Sequence, residues 1–211
     1  MNIDELRGRL MDAGLAAELA EEDPLELFAA WLGEARGAGL FNAHSMALAT
    51  AGPDGFPTVR NVLMQGIVDG AFTFYTNRQS EKGKALASKP KAEGLFSWLP
   101  LERQIRVRGA VVELADAASD QYFATRPRES QLAAVASDQS TPIPDRQYLM
   151  KRFKVLEAAN DGREVERPSH WGGYGLVAER IEFWQGARHR LHDRLVFTRS
   201  DDGWTTTRLA P

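Results

Sequence analysis

The densest run of chemically capable side chains is Arg190-Leu191-His192-Asp193-Arg194. In an extended chain, residues two apart share a face. Arg190, His192 and Arg194 would then point one way, and Leu191 and Asp193 the other. Two guanidiniums and an imidazole on one face suit an anion, most naturally a phosphorylated or carboxylated ligand. The same spacing also fits a solvated strand face with cross-strand ion pairs. Just upstream, Trp184-Gln185 sits within Glu182-Phe183-Trp184-Gln185-Gly186. An aromatic ring beside an amide can flank a flat heterocycle and bond its edge, although a Trp in such a run can equally be core.

A second basic group, Arg126-Pro127-Arg128-Glu129-Ser130, follows Tyr122 and flanks a helix start. Free N–H groups and the helix dipole attract anions there, but ordinary solvation of a helix end looks the same. Ser80-Glu81-Lys82-Gly83-Lys84, at a short helix start, is a similar but weaker candidate for an anion site, and Gln139-Ser140 offers two neutral hydrogen-bonding groups in a loop. Other chemistries find little support. The chain has no H-E-x-x-H, G-x-S-x-G or Walker lysine loop. Its four His, 44, 170, 189 and 192, lack metal-ligand spacing.

The elements that must carry these residues are mostly strands. Asp23 can cap a helix whose first turn holds Pro24 and Glu26, in a capping-box-like arrangement. Leu27, Phe28, Trp31, Leu32 and Ala35 then recur at helical spacing, so a helix is predicted over Pro24–Ala38. Residues 1–22 read as a loose arm with some helix. Strands are predicted over Met46–Thr50, Thr58–Met64 and Ala71–Thr76, separated by the turns Gly52-Pro53-Asp54-Gly55 and Asp69-Gly70. A short helix capped by Ser80 runs to Ala87. Strand character returns at Ala92–Trp98 and Gln104–Leu114. Helices are predicted over Asp116–Thr125, Glu129–Ala136 and Pro144–Ala159, the last with Tyr148, Leu149, Phe153 and Leu156 on one side. Trp171-Gly172-Gly173-Tyr174 reads as a turn, and Leu176–Gln185, Leu191–Arg199 and Trp204–Leu209 as strands. The class is mainly β with peripheral helices (α+β). A closed barrel is the economical form, since closure removes exposed edges.

With 211 residues, 43% hydrophobic and 26% charged, the chain has an ordinary globular composition. A formal charge of -3 with no lysine run argues against nucleic acid. The absence of Cys excludes disulfides, thiolate nucleophiles and iron–sulfur clusters. With neither a signal-peptide pattern nor an apolar span, no membrane association and a cytoplasmic location are the expectation.

Several blocks, in order, resemble the pyridoxamine 5'-phosphate oxidase family from about Asp23 onward. They include Asp23-Pro24 with Phe28 and Trp31-Leu32, Arg60-Asn61-Val62-Leu63, Phe74-Tyr75-Thr76-Asn77 and Leu101-Glu102-Arg103-Gln104. Further along are Tyr122-Phe123 with Arg126-Pro127, Ser130-Gln131, Gln139-Ser140, Trp171-Gly172-Gly173, the Glu182–Gly186 and Arg190–Arg194 runs, and Arg208-Leu209-Ala210-Pro211. The resemblance implies residues 23–211 as one FMN-binding split β-barrel domain, forming a homodimer with FMN at the subunit interface. It implies cofactor contacts at Arg60, Asn61, Val62, Leu63, Met64, Gln65, Tyr75, Thr76, Lys82, Gln104, Gln139, Ser140, Trp184 and Arg194. It places substrate contacts at Gln65, Tyr122, Arg126, Ser130, Arg190 and His192, with Arg190 and His192 as the catalytic pair and no metal. The implied reaction oxidises pyridoxamine or pyridoxine 5'-phosphate to pyridoxal 5'-phosphate, with oxygen reduced to hydrogen peroxide. A related flavin oxidase acting on another small aromatic, such as a phenazine precursor, and a non-catalytic flavin or pyridoxal phosphate binder remain the alternatives. Two positions depart from the family's pattern. Gln65 stands where a lysine usually helps hold the substrate phosphate, and Glu81 where an arginine usually lies beside the FMN phosphate.

Overall fold

The computed structural model describes residues 2–211. Met1, in the arm expected over 1–22, lies outside that range. The rest of the arm holds helix α1 (Ile3–Ala13) and a 3-10 turn (Ala17–Glu21). Asn2 closes a reciprocal capping box with Glu5, and Ile3, Leu6 and Leu10 pack on the core. Helix α2 (Pro24–Gly37) begins where expected: Asp23 Oδ1 accepts the N–H groups of Leu25 and Glu26. All five periodic apolar residues of α2 are buried. Its Phe28 ring meets Phe72 and Phe96 edge-on, each at 4.8 Å, and Trp31 meets Phe183 at 5.2 Å. These contacts seat α2 against β4, β5 and β7 in the core.

That sheet has nine strands: β1 (Ser45–Ala51), β2 (Pro57–Leu63), β3 (Gly66–Val68), β4 (Ala71–Asn77), β5 (Lys91–Trp98), β6 (Arg103–Glu113), β7 (Trp171–Gln185), β8 (Asp193–Ser200) and β9 (Gly203–Leu209). The hydrogen-bonded order is β2-β1-β5-β6-β7-β4-β3, with β8 and β9 added to β7. All pairings are antiparallel. The ladder runs out at β2, β3 and β9 without closing, so the closed form does not occur and the barrel is the split one that the family resemblance implies. The 15-residue β7 explains the split. It pairs β4 through Trp171–Val177 and β8 through Arg180–Gln185, while β6 pairs its other edge from Tyr174 to Gln185. Between these halves the β6 register shifts at Arg108/Gly109. There a Cβ on Gly109 would lie 1.8 Å from the Val177 carbonyl oxygen, so only glycine permits the close approach.

Two local expectations are corrected. Trp171 to Tyr174 is the start of β7, not a turn. Its two glycines are there for clearance: a Cβ on Gly172 would meet the Arg78 guanidinium at 2.5 Å, and one on Gly173 the Tyr75 ring at 2.7 Å. The strand predicted from Leu191 begins only at Asp193. Arg188–Arg190 form a 3-10 turn in which His189 and Arg190 have positive φ, 58° and 61°. The extended alternation therefore does not hold for Arg190 and His192.

Four further helices flank the sheet: α3 (Glu81–Ser88), α4 (Asp116–Thr125), α5 (Arg128–Ala136) and α6 (Arg146–Ala159). Ser80 caps α3 through the N–H of Gly83. The apolar side of α6 is only half-buried at Leu149, Phe153 and Leu156, and Tyr148 is exposed. No helix among the described residues is long and apolar enough to cross a membrane.

Candidate active site

A cavity of about 690 Å³ opens between β2, β4, the start of α3, the α4–α5 junction and the start of β7. Arg60, Asn61, Val62, Leu63, Gln65, Tyr75, Thr76, Lys82, Tyr122, Arg126, Ser130 and Gln139 all line it, joined by Trp171. Another cavity, about 560 Å³, lies beside β1 and shares Asn61, but no charged side chain lines it.

Lys82 is buried at the first turn of α3. Its Nζ donates to Thr76 Oγ1 (3.0 Å), Gln139 Oε1 (3.0 Å) and Ser80 Oγ (3.3 Å), all uncharged. Burial, then the neighbouring Arg60 guanidinium, push its pKa down to about 8, and Glu81 partly opposes this. Arg60 likewise donates to neutral oxygens, those of Leu48, Thr50 and Thr58. Glu81 is exposed and does not line the cavity, so its carboxylate turns away while still acting on both cations at a distance. Two cations with uncharged partners, one of them buried, leave an electrostatic demand that a phosphate satisfies.

Across the cavity, Tyr122 stacks on Tyr75 with ring centroids 4.0 Å apart, and Tyr75 on Trp171 at 5.4 Å. Burial raises the pKa of both phenols, so they stay protonated near neutral pH. Arg126 lies over the Trp171 ring at 4.8 Å, and its Nη1 is buried without a hydrogen-bond partner. An unpaired buried guanidinium nitrogen on a cavity wall is a second anion acceptor. Helix α4 is held in place by Ser119, whose buried Oγ accepts the N–H of Gly173 at 3.0 Å, and by Arg167 bridging Asp116 and Asp120.

The remaining sequence candidates do not join this cavity. Met64 points into the core, and Ser140 is an exposed loop residue with φ 70°. Gln104, Trp184 and Arg194 are register partners across β6, β7 and β8. His192 lies on Trp184 at 4.7 Å, and its Nδ1 accepts the N–H of Ala187 at 3.2 Å. That bond leaves Nε2 to carry the proton in the neutral imidazole. Arg190 is exposed beside it. Within one chain the candidates therefore form two groups, one around the cavity and one on the β6–β8 face. Trp171 was missed as a site residue because its role depends on the β4–β7 register. Among the described residues no cluster of His, Asp or Glu could hold a metal.

Comparison with known proteins agrees with this architecture. Residues 33–159 match a family described as pyridoxamine 5'-phosphate oxidase, and residues 171–211 match a pyridoxine 5'-phosphate oxidase C-terminal dimerisation region. A pyridoxine/pyridoxamine 5'-phosphate oxidase of Rubrobacter xylanophilus is 48% identical over 206 residues, covering 98% of this chain and 95% of its own. One from Leptospira biflexa is 40% identical over 210 residues, covering 100% and 99%. The crystal structure of PhzG from Burkholderia lata, in complex with tetrahydrophenazine-1-carboxylic acid, superposes with a TM-score of 0.87 at 32% identity, covering 93% of this chain and 98% of that one. A Nostoc punctiforme FMN-binding protein shares the fold, with a TM-score of 0.71 at 17% identity over 94% of this chain and 100% of its own. The chain belongs to the pyridoxamine 5'-phosphate oxidase family.

Proposed function

We propose that this chain is an FMN-dependent oxidase converting pyridoxamine or pyridoxine 5'-phosphate to pyridoxal 5'-phosphate, with oxygen reduced to hydrogen peroxide. The observation that carries the reading is one cavity with two anion acceptors: buried Lys82 with neutral partners, and Arg126 with its unpaired Nη1. A phosphorylated cofactor and a phosphorylated substrate call for two such acceptors. The relatives named above act on that substrate class.

In this reading Arg60 and Lys82 hold the FMN phosphate, with Thr76 and Gln139 fixing the lysine. Arg126, Ser130 and Tyr122 grip the substrate phosphate. FMN held there would supply a two-electron acceptor for a hydride from the substrate's C4', with oxygen and two protons as the final acceptors giving hydrogen peroxide. The chain's own contribution is position and field. Arg190 and His192 orient the C4' end, and His192 offers Nε2 because Nδ1 is engaged by Ala187. Gln104, Trp184, Arg190, His192 and Arg194 do not line the cavity of their own chain. We therefore infer a homodimer in which each subunit completes the other's site with this group, consistent with a match to a dimerisation region at residues 171–211. The cysteine-free composition is compatible with the cytoplasmic location this reading includes.

Gln65 gives some weight to a second reading, an oxidase of another small aromatic like the ligand in the PhzG structure. The retained trio Tyr122, Arg126 and Ser130 favours the phosphate ester. The test supplies FMN and each B6 phosphate in air and follows pyridoxal 5'-phosphate and hydrogen peroxide together. Their appearance in equal amounts is expected. FMN binding without turnover of either would refute the assignment.

A further inference from the structure

We propose that Glu182 is the positioning residue for Arg194: it fixes that guanidinium in the orientation in which it meets the flavin. The inference rests on the flavin site proposed above and concerns a residue outside the cofactor and substrate contacts given there. Glu182 is 2% exposed, an unusual place for a carboxylate unless it is fully paired. Its Oε1 accepts from Arg194 Nε at 3.0 Å and pairs with Nη2 at 2.9 Å. The third nitrogen, Nη1, donates to the Ala210 carbonyl at 3.0 Å. All three nitrogens of Arg194 are thus engaged, and the plane of the fork is set by Glu182 on one side and the end of β9 on the other.

The other oxygen of Glu182 faces away from Arg194. Its Oε2 pairs with Arg180 at 3.2 Å and lies 3.6 Å from Arg106, which is itself held by Glu93. Arg180 and Arg106 compensate the buried charge from the far side without touching Arg194. Register places the arrangement beside the proposed cofactor contacts. Glu182 lies opposite Arg106 and Val196, and the adjoining row across the same strands is Gln104, Trp184 and Arg194. An arginine contact that had to be ordered on cofactor binding would lose side-chain freedom at that moment; one already held loses little.

The test is a double-mutant cycle on cofactor affinity. FMN is titrated into cofactor-free protein at fixed concentration and followed by flavin fluorescence, for wild type, Glu182→Gln, Arg194→Lys and the double variant. Glu182→Gln is expected to weaken FMN about tenfold, and the double variant to be within about twofold of Arg194→Lys alone. The absorption band shape of bound flavin should change alike in Glu182→Gln and Arg194→Lys. Equal losses from Glu182→Gln in both backgrounds would overturn the proposal. Should Glu182→Gln not fold, Glu182→Asp keeps the charge but withdraws it by one methylene, and the same cycle applies. Arg180→Ala disturbs only the far oxygen. It is expected to leave affinity within about twofold, and a loss matching that of Glu182→Gln would mean that Glu182 acts through the sheet, refuting positioning. Unchanged affinity in Arg194→Lys, with wild-type turnover intact, sinks this inference alone. Absence of FMN binding by wild type sinks the functional reading with it.

Discussion

Replacing Lys82 by methionine should move stability and cofactor affinity in opposite directions. The ammonium is buried against neutral oxygens, and its pKa stands at about 8 rather than the ordinary 10.5. That difference corresponds to a cost of about 3 kcal/mol for keeping the charge in the folded, cofactor-free protein. The sign follows from linkage. The folded pKa lies below the unfolded one, so the cost is fully present below pH 8 and is relieved as pH rises towards 10.5. Methionine keeps the stem and removes the charge. It leaves Thr76 and Gln139 bonded to each other at 3.2 Å, so neither is orphaned. At pH 7 the cofactor-free variant should therefore be more stable by about 1–3 kcal/mol, allowing for the lost lysine hydrogen bonds. Urea unfolding at fixed protein concentration measures this. A charge-assisted bond to phosphate is worth about 1.5–3 kcal/mol, so FMN should bind about 10- to 150-fold more weakly. Above pH 7, where the phosphate is mostly a dianion, wild-type affinity should stay level up to pH 8 and then fall as the free lysine deprotonates. The methionine variant should show no such fall. A variant that is less stable without cofactor and binds FMN as well as wild type does would refute the reasoning.

Three other outcomes follow from the structure. Arg190→Ala and His192→Ala should each lower turnover by about 100-fold or more with FMN still bound, as expected for groups that act on the substrate; normal turnover in either would remove that residue from the site. Gln65→Lys would add a charge to the cavity wall and should lower the KM for pyridoxine 5'-phosphate by about tenfold. An unchanged KM would show that Arg126 and its neighbours already saturate the phosphate. Gly109→Ala forces a Cβ to 1.8 Å from the Val177 oxygen and 2.9 Å from the Glu179 nitrogen, both backbone atoms that cannot rotate aside. It should cost at least about 3 kcal/mol, the upper end of overpacking penalties. An unchanged urea midpoint would mean that β7 can shift at its bend.

The expected elements that stand are those whose signals lie within a few residues of one another. Asp23 and Pro24 start α2, and the apolar period of that helix is its buried face. Asp69 and Gly70 take positive φ at 50° and 76° and join β3 to β4. The three-residue β3 went unseen, being too short for an alternation to register. Gly172 and Gly173 misled because a glycine pair signals a turn locally, whereas here it clears the way for Arg78 and Tyr75 from another strand. Spacing alone also put Arg190 and His192 on one strand face, which a left-handed turn at His189 and Arg190 prevents.

By itself, then, the sequence determined the residue types, the helix starts, most strand segments and, through its ordered blocks, the family. Tertiary structure decided which of those residues meet. Lys82 reaches Gln139 across 57 positions, Tyr75 and Tyr122 stack with Trp171, and Glu182 gathers three arginines from β6, β7 and β8. Capping and periodicity act over one or two turns of chain, but burial and charge pairing act through space. Only strand register and helix docking convert residues far apart in sequence into neighbours a few ångströms apart.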